Sequence, residues 1–103
     1  KKRENLYCVF SRIGDSPERI FYTKFHLSKN YSDWKFQKIK EILRPTFPYE
    51  GSNLKLKKSK PGDAPKAENA LRDPYLFKNK NKTYLIYCVK GEKNFALSEI
   101  YLK

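Results

Sequence analysis

The sequence predicts an all-β protein built from antiparallel strands, and three observations support this fold class. Short runs of β-branched and aromatic residues are separated by turns that contain Gly, Pro or Asn. A strand-and-turn pattern near the start of the chain is repeated near its end. Hydrophobic residues make up 39% and aromatic residues 16% of the 103 residues, which is enough apolar material for a packed core.

The internal repeat extends over two successive segments. Residues 7–15 match residues 84–92 position by position, with Tyr on Tyr, Gly on Gly and an acidic residue on an acidic residue. Residues 20–27 then match residues 95–102, and the offset between the copies falls by two residues within the intervening turn. Each copy therefore predicts a β-hairpin: an aromatic strand, a Gly-acid turn and a second strand.

The first strand of each copy is apolar on both of its sides. In the first copy Tyr7, Val9 and Ile13 alternate with Cys8 and Phe10. Strands of this kind are typical of sheets that are covered on both faces. We therefore expect a sheet stacked between other sheets.

The segment from residue 34 to residue 43 fits two kinds of structure. Its apolar residues roughly follow a helical stripe, and Asp33 is a suitable helix cap, so periodicity alone favours a helix. Ile39, Glu41 and Leu43 equally fit a short strand. Pro45 ends either structure.

The middle of the chain predicts a long loop. Residues 45–70 contain Pro48, Gly51, Pro61, Gly62 and Pro65 after the initial Pro45, and a loop of this length is usually functional or mobile. Another short strand is expected over residues 71–77, and a turn over residues 79–82 leads into the repeated strand.

The net charge of +12 raises the question of a polyanionic partner. Of the 23 basic residues 18 are Lys, whereas base reading and bidentate phosphate binding favour Arg. The densest basic stretch contains Lys55, Lys57, Lys58 and Lys60, and its composition is typical of a solvated loop. The sequence therefore disfavours nucleic acid as the partner, and a basic polyanion-binding module stays the alternative function.

An ordered set of motifs resembles a known superfamily. The set is Tyr49-Glu50-Gly51, a long loop, Leu71-Arg72-Asp73-Pro74, Lys82-Thr83-Tyr84-Leu85 and Gly91-Glu92. Together with the repeat it resembles the last blades of five-bladed β-propellers of the glycoside hydrolase-like superfamily, which includes arabinanases, xylosidases, invertases and levansucrases. The resemblance covers about residues 5–102.

This resemblance implies two incomplete four-stranded blades of a five-bladed propeller. Residues 1–44 would form the second to fourth strands of one blade, with a strand rather than a helix at residues 36–44. Residues 45–70 would be a loop on the active face, and residues 71–103 the first three strands of the last blade. Two blades cannot close a ring, so we expect a C-terminal portion of a longer protein or an assembly of several chains.

The resemblance also suggests which residues form the site. Asp73 and Glu50 are the candidate catalytic residues, since glycosidic cleavage uses carboxyl groups that flank the bond. Asp73 equally fits a turn with a salt bridge to Arg72, and Glu50 equally fits an ordinary loop acid. The nucleophile or base of the superfamily lies in an earlier blade, so this chain alone is expected to be inactive, and a structural propeller fragment with no activity is a further alternative. The candidate substrate-binding residues are Arg72, Asn69, Asn53, Tyr49, Arg12 and Glu18.

Other chemistries have little support in the sequence. Cys8 and Cys88 lie out of register between the two copies, so free thiols are expected. No ligand cluster or Gly-rich phosphate loop is present, so we expect no metal and no cofactor. The expected partners are carbohydrate and further blades or a second copy of the chain, with no membrane and a cytoplasmic location.

Overall fold

The computed structural model describes residues 5–28, 30 and 33–102. All pairings between its strands are antiparallel, and the described residues form no α-helix, which confirms the all-β class. A short 3₁₀ helix, Pro48–Glu50, lies in the middle of the chain. The strands are β1 (Asn5–Ser11), β2 (Ile20–His26), β3 (Lys35–Phe36), β4 (Lys40–Leu43), β5 (Arg72–Asn79), β6 (Lys82–Val89) and β7 (Asn94–Ile100).

The strands form two sheets with matching hairpins. Sheet 1 contains β1, β2, β3 and β4, and both short strands pair with β2. Sheet 2 has the order β5-β6-β7. Val9 pairs with Tyr22 in sheet 1, and Ile86, which matches Val9 in the repeat, pairs with Leu97, which matches Tyr22. The two predicted hairpins are confirmed, and their registers are equivalent although the first turn is longer by two residues.

The core lies between the two sheets. Ile20 from sheet 1 and Leu85, Tyr87 and Val89 from sheet 2 are almost fully buried, together with Leu71 just before β5. Burying a side chain of this size contributes about 1.5–3 kcal/mol. The alternation along β6 places Leu85, Tyr87 and Val89 on one face, so this face holds sheet 2 against sheet 1.

The helix that periodicity favours over residues 34–43 is wrong. The segment forms β3 and β4, because its backbone pairs with the edge of β2 that is not occupied by β1. Between the two short strands the Gln37 carbonyl accepts a 2.8 Å hydrogen bond from the Thr23 hydroxyl. Hydrogen bonding to β2 therefore outweighs the weak helical stripe. The single strand expected at residues 36–44 is replaced by two short strands.

The segment from residue 44 to residue 71 connects the two sheets and crosses one end of both; we call it the strap. Its Ser59 amide donates to the Asp15 carbonyl at 3.1 Å in the first hairpin turn. Its Glu68 amide donates to the Lys90 carbonyl at 3.1 Å in the second. We call the end formed by the strap and these two turns the loop end. The strap and both hairpin turns therefore share one end of the two sheets.

Cys8 and Cys88 are both free thiols, as expected. Within the described part of the chain there is no helical stretch with the length and apolar character needed to span a bilayer.

Candidate functional site

Glu50 lies at the loop end, but its carboxylate faces inward and is only 2% exposed. Its Oε1 accepts hydrogen bonds from the backbone amides of Thr46 at 2.9 Å and Phe47 at 3.2 Å. Its Oε2 accepts from the Tyr87 hydroxyl at 2.7 Å. Both oxygens are therefore occupied by donors of this chain, and the group ties the start of the strap to sheet 2.

The neighbouring Gly51 explains why the Glu-Gly pair is needed for packing. Gly51 has φ +97°, which favours glycine, and a Cβ added there would lie 2.5 Å from the carbonyl oxygen of Glu68. The Glu50 carbonyl meanwhile accepts from the Lys90 amide at 3.1 Å. The motif lets two parts of the strap and the second hairpin turn approach closely.

Glu18 and Arg72 form a buried ion pair between the two sheets. The Arg72 Nε lies 2.8 Å from Glu18 Oε1, and both side chains are more than nine-tenths buried. Ser11 donates to the other oxygen of Glu18. The terminal nitrogens of Arg72 donate to the carbonyls of Gly62 at 2.9 Å and Lys60 at 3.0 Å. Two predicted substrate-binding residues thus meet each other in the interior.

Asp73 differs from its expected conformation. A proline favours an extended conformation at the residue before it, whereas the φ of Asp73 is +51° and the register between β5 and β6 shifts between Arg72 and Tyr75. An irregularity of this kind requires an unusual backbone angle, which Asp tolerates better than most residues. Asp73 is exposed, and its Oδ2 accepts from the Cys88 thiol at 3.6 Å instead of pairing with Arg72.

Three further predicted residues belong to the strap. Tyr49 is 53% exposed, and its ring stacks on the exposed Phe47 ring with centroids 5.6 Å apart and planes 6° apart. Asn53 is exposed beside this pair in sequence. Asn69 is buried: its Nδ2 donates to the Leu54 carbonyl at 3.2 Å, and its Oδ1 has no partner among the described residues.

Arg12 lies in the first hairpin turn and is half-exposed. Its guanidinium carbon is 4.1 Å from the centroid of the Phe21 ring, and its Nε lies 3.3 Å from Asp15 Oδ2. Arg19 approaches the same ring at 5.1 Å. The two guanidinium groups explain why Phe21 is buried although it lies on the face of sheet 1 that points away from sheet 2.

Two titratable groups near the loop end have shifted pKa values. Burial raises the pKa of the Tyr87 phenol above its usual range, and the hydrogen bond to Glu50 acts in the same direction while that to Ser98 opposes it. Burial first, and then the Asp73 carboxylate, raises the pKa of the Cys88 thiol. Cys88 is therefore a poorer nucleophile than an ordinary thiol. No group of three potential metal ligands occurs among the residues that the structure describes.

Sequence reasoning missed three residues that build the loop end. Tyr87 supplies a buried hydroxyl to Glu50, Ser59 accepts from the Gly14 amide at 2.9 Å, and Glu92 accepts from the Ala64 amide at 2.6 Å. A signal existed for Glu92 alone, because it is the acidic residue of the repeated Gly-acid turn. The partners of the other two lie far away in sequence.

The structure therefore divides the predicted site. Glu50, Glu18, Arg72 and Asn69 are buried, whereas Asp73, Tyr49, Asn53 and Arg12 remain open to solvent at the loop end. The buried group holds the two sheets and the strap together. The open group supplies one carboxylate, one amide, one guanidinium and a stacked aromatic pair.

Comparison with known proteins gives one informative match. The chain is 42% identical over 97 residues to the uncharacterized protein R118 of Acanthamoeba polyphaga mimivirus. The match covers 93% of this chain and 27% of that protein, so the chain spans about a quarter of the length of its relative. No family model matches the chain, and no solved structure gives a significant match.

Proposed function

We propose that the chain is a two-sheet segment of a β-propeller-type protein similar to the glycoside hydrolase-like superfamily, and that it binds carbohydrate at the loop end. Equivalent hairpins in successive sheets support the propeller assignment, as does a strap that leads from the last strand of one sheet to the first strand of the next. The relative's greater length leaves room for further sheets of the same kind.

One observation limits the proposal to binding. Of the three carboxylates that the sequence places near the site, Glu18 and Glu50 accept hydrogen bonds on both oxygens, and Asp73 alone is open. Hydrolysis of a glycosidic bond requires two carboxyl groups that flank it. The carboxylates named from the sequence therefore do not form a complete catalytic pair, and the proposal for this chain by itself is binding without cleavage.

Binding is supported by the open part of the loop end. The stacked rings of Phe47 and Tyr49 offer a flat apolar surface, and Asp73 and Asn53 offer exposed acceptors and donors. Apolar surface with a few placed polar groups is the usual composition of small-molecule sites. The apolar face of a sugar ring and its hydroxyl groups match these two elements.

The test is isothermal titration of the chain with neutral oligosaccharides of arabinose, xylose and fructose. We expect saturable binding that barely changes with salt and no release of reducing ends. Tyr49→Ala and Asp73→Asn are expected to weaken the affinity at least about tenfold, or ~1.4 kcal/mol. Tyr101→Ala is the matched control, because Tyr101 is exposed and directly follows the end of β7 that lies away from the loop end. Absence of binding to all three sugars overturns the proposal.

A polyanion-binding function is the second candidate, and the exposed lysines favour it. Lys55, Lys57, Lys58 and Lys60 are all exposed on the strap, and only Lys57 has an acidic neighbour among the described residues, Glu68 at 3.4 Å. Phosphate contacts release counterions, so affinity for a single-stranded oligonucleotide would fall steeply with salt. Such binding without any sugar binding would replace the first proposal with this one.

A further inference from the structure

Each sheet has two different faces, which the pairing register defines. We call the face of sheet 1 that points towards sheet 2 its front face. It carries Val9 with its partner Tyr22, and Ile20 with its partner Ser11. The face of sheet 2 that covers it is the back face of sheet 2 and carries Leu85, Tyr87 and Val89. The contact between the sheets is therefore front to back.

The repeat shows which face of sheet 2 is equivalent to the front face of sheet 1. Val9 matches Ile86, and Tyr22 matches Leu97. Ile86 and Leu97 point away from sheet 1, so the front face of sheet 2 is open. This face carries Tyr75, Phe77, Tyr84, Ile86, Phe95 and Leu97.

The open front face of sheet 2 is unusually apolar for a solvated surface. Phe95 is 74%, Tyr75 66% and Leu97 59% exposed, and the Phe77 and Tyr84 rings stack with centroids 5.3 Å apart. Phe77, Ile86, Phe95 and Leu97 border a shallow cavity of about 490 Å³ on this face. A contiguous apolar surface of this kind marks an interaction site.

The back face of sheet 1 is its complement. It carries Phe10 stacked on Phe21 at 5.8 Å, Phe25 against Phe36 at 6.0 Å, and Leu6. Leu6 and Phe36 are exposed. By the repeat this face is equivalent to the back face of sheet 2, which already covers a front face inside the chain.

Charge at the loop end favours the same pairing. The front face of sheet 2 ends there at the exposed carboxylate of Asp73, next to Cys88. The back face of sheet 1 ends there at the guanidinium groups of Arg12 and Arg19, which lie over Phe21 and also pair with Asp15 and Glu41 of the same chain. A front-to-back contact that keeps the loop ends together brings these opposite charges to one edge of the interface.

We propose that the front face of sheet 2 binds the back face of sheet 1 of a second copy of this chain, repeating between copies the contact that joins the two sheets within one copy. The contact is heterologous, since each copy uses two different surfaces. It is independent of whether carbohydrate binds. The net charge of +12 on each copy opposes the contact, so it strengthens with salt, which screens the repulsion.

The test is sedimentation velocity in about 0.3 M salt at chain concentrations from about 10 µM to about 1 mM. This range of chain concentrations brackets weak to moderate affinity. The front variant carries Phe95→Glu and Leu97→Glu, and the back variant carries Leu6→Glu and Phe36→Glu. All four residues are exposed, so folding should be retained. Ile13→Glu is the control, because Ile13 is exposed in the first turn and lies on neither face.

We expect the unchanged chain and the control to form oligomers and each double variant alone to be monomeric. An equimolar mixture of the two variants should form a dimer and nothing larger, because each retains the face that the other lacks. A monomeric unchanged chain overturns the proposal. Oligomers that survive in either double variant overturn it as well, because they show a contact that does not need one of the two faces.

Discussion

Arg72 Nε lies 2.8 Å from Glu18 Oε1, and this ion pair joins two sheets whose strands are far apart in the chain. The backbone at the ion pair is also connected, because the amide of Leu71, the residue before Arg72, donates to the Glu18 carbonyl at 2.9 Å. The contact places the first hairpin turn against the start of β5. It thereby holds the end of the strap where it returns to sheet 2, and it acts together with the contacts of Glu50 and Ser59 at the loop end.

Replacement of Arg72 by Leu should destabilise the chain strongly. Loss of the guanidinium leaves the Glu18 carboxylate buried without its cation, which costs about 3–5 kcal/mol. The measurement is urea unfolding, and the matched control is Arg44→Leu, because Arg44 forms an exposed pair with Glu41 at 2.8 Å. The control should cost about 1 kcal/mol or less. Equal losses in the two variants would contradict the structural role of Arg72.

Replacement of Tyr87 by Phe tests the interior position of Glu50. The variant keeps the ring but removes the hydroxyl that donates to Glu50 Oε2 at 2.7 Å, and an unmet buried acceptor costs about 1–3 kcal/mol. Tyr75→Phe is the control, since Tyr75 is exposed and its change should stay within about 0.5 kcal/mol. If Tyr87→Phe unfolds at the same urea concentration as the control, Glu50 is not held as described.

The pH dependence of stability should show the raised pKa of Tyr87. The phenol is neutral in the folded chain beyond the usual tyrosine pKa of about 10, whereas it ionises there in the unfolded chain. Its contribution to stability is therefore complete below pH ~10 and is lost as the pH rises above that value. The difference in unfolding free energy between the unchanged chain and Tyr87→Phe should shrink between about pH 9 and pH 11. A constant difference would show that the phenol is not desolvated.

Gly51→Ala should destabilise the chain more than Gly62→Ala does. Both glycines have a left-handed backbone, with φ +97° and +91°, so both variants carry a backbone cost of about 1 kcal/mol. Only at Gly51 does the new Cβ meet a backbone atom, the Glu68 oxygen at 2.5 Å, whereas nothing lies within 4 Å at Gly62. We expect an additional loss of about 2 kcal/mol or more in thermal or urea unfolding. Equal losses would mean that the strap yields at Gly51.

The hairpins could be predicted from the sequence because their determinants are local. The repeat fixes which residues pair, and a turn that differs by two residues leaves the pairing of Val9 with Tyr22 and of Ile86 with Leu97 equivalent. The segment at residues 34–43 lacks such information. It forms strands because one edge of β2 is free to pair with it, and the pattern of residues 34–43 by itself does not reveal this edge.

The side-chain partners at the loop end could not be predicted for a related reason. Glu18 and Arg72 are 54 residues apart, and Glu50 and Tyr87 are 37 apart. Both pairs depend on the path that the strap takes over the end of the two sheets. Sequence reasoning placed the residues at the correct end but treated a buried support as a binding surface. At Asp73 the irregular start of β5 overrides the extended conformation that the following Pro74 favours, which a local pattern does not reveal.

The strap also offers a site at which a protease could cut the chain between its two sheets. Its exposed residues Lys55, Lys57 and Lys58 lie in the chain between the anchoring contacts of Glu50 on one side and those of Ser59 and Glu68 on the other. A tryptic nick among these lysines would leave two fragments, each with one complete sheet and its own half of the Glu18–Arg72 pair. We expect such fragments to reassemble without a covalent link, because the apolar residues of both sheets share one core. Co-elution of the two fragments in gel filtration after the nick would check this.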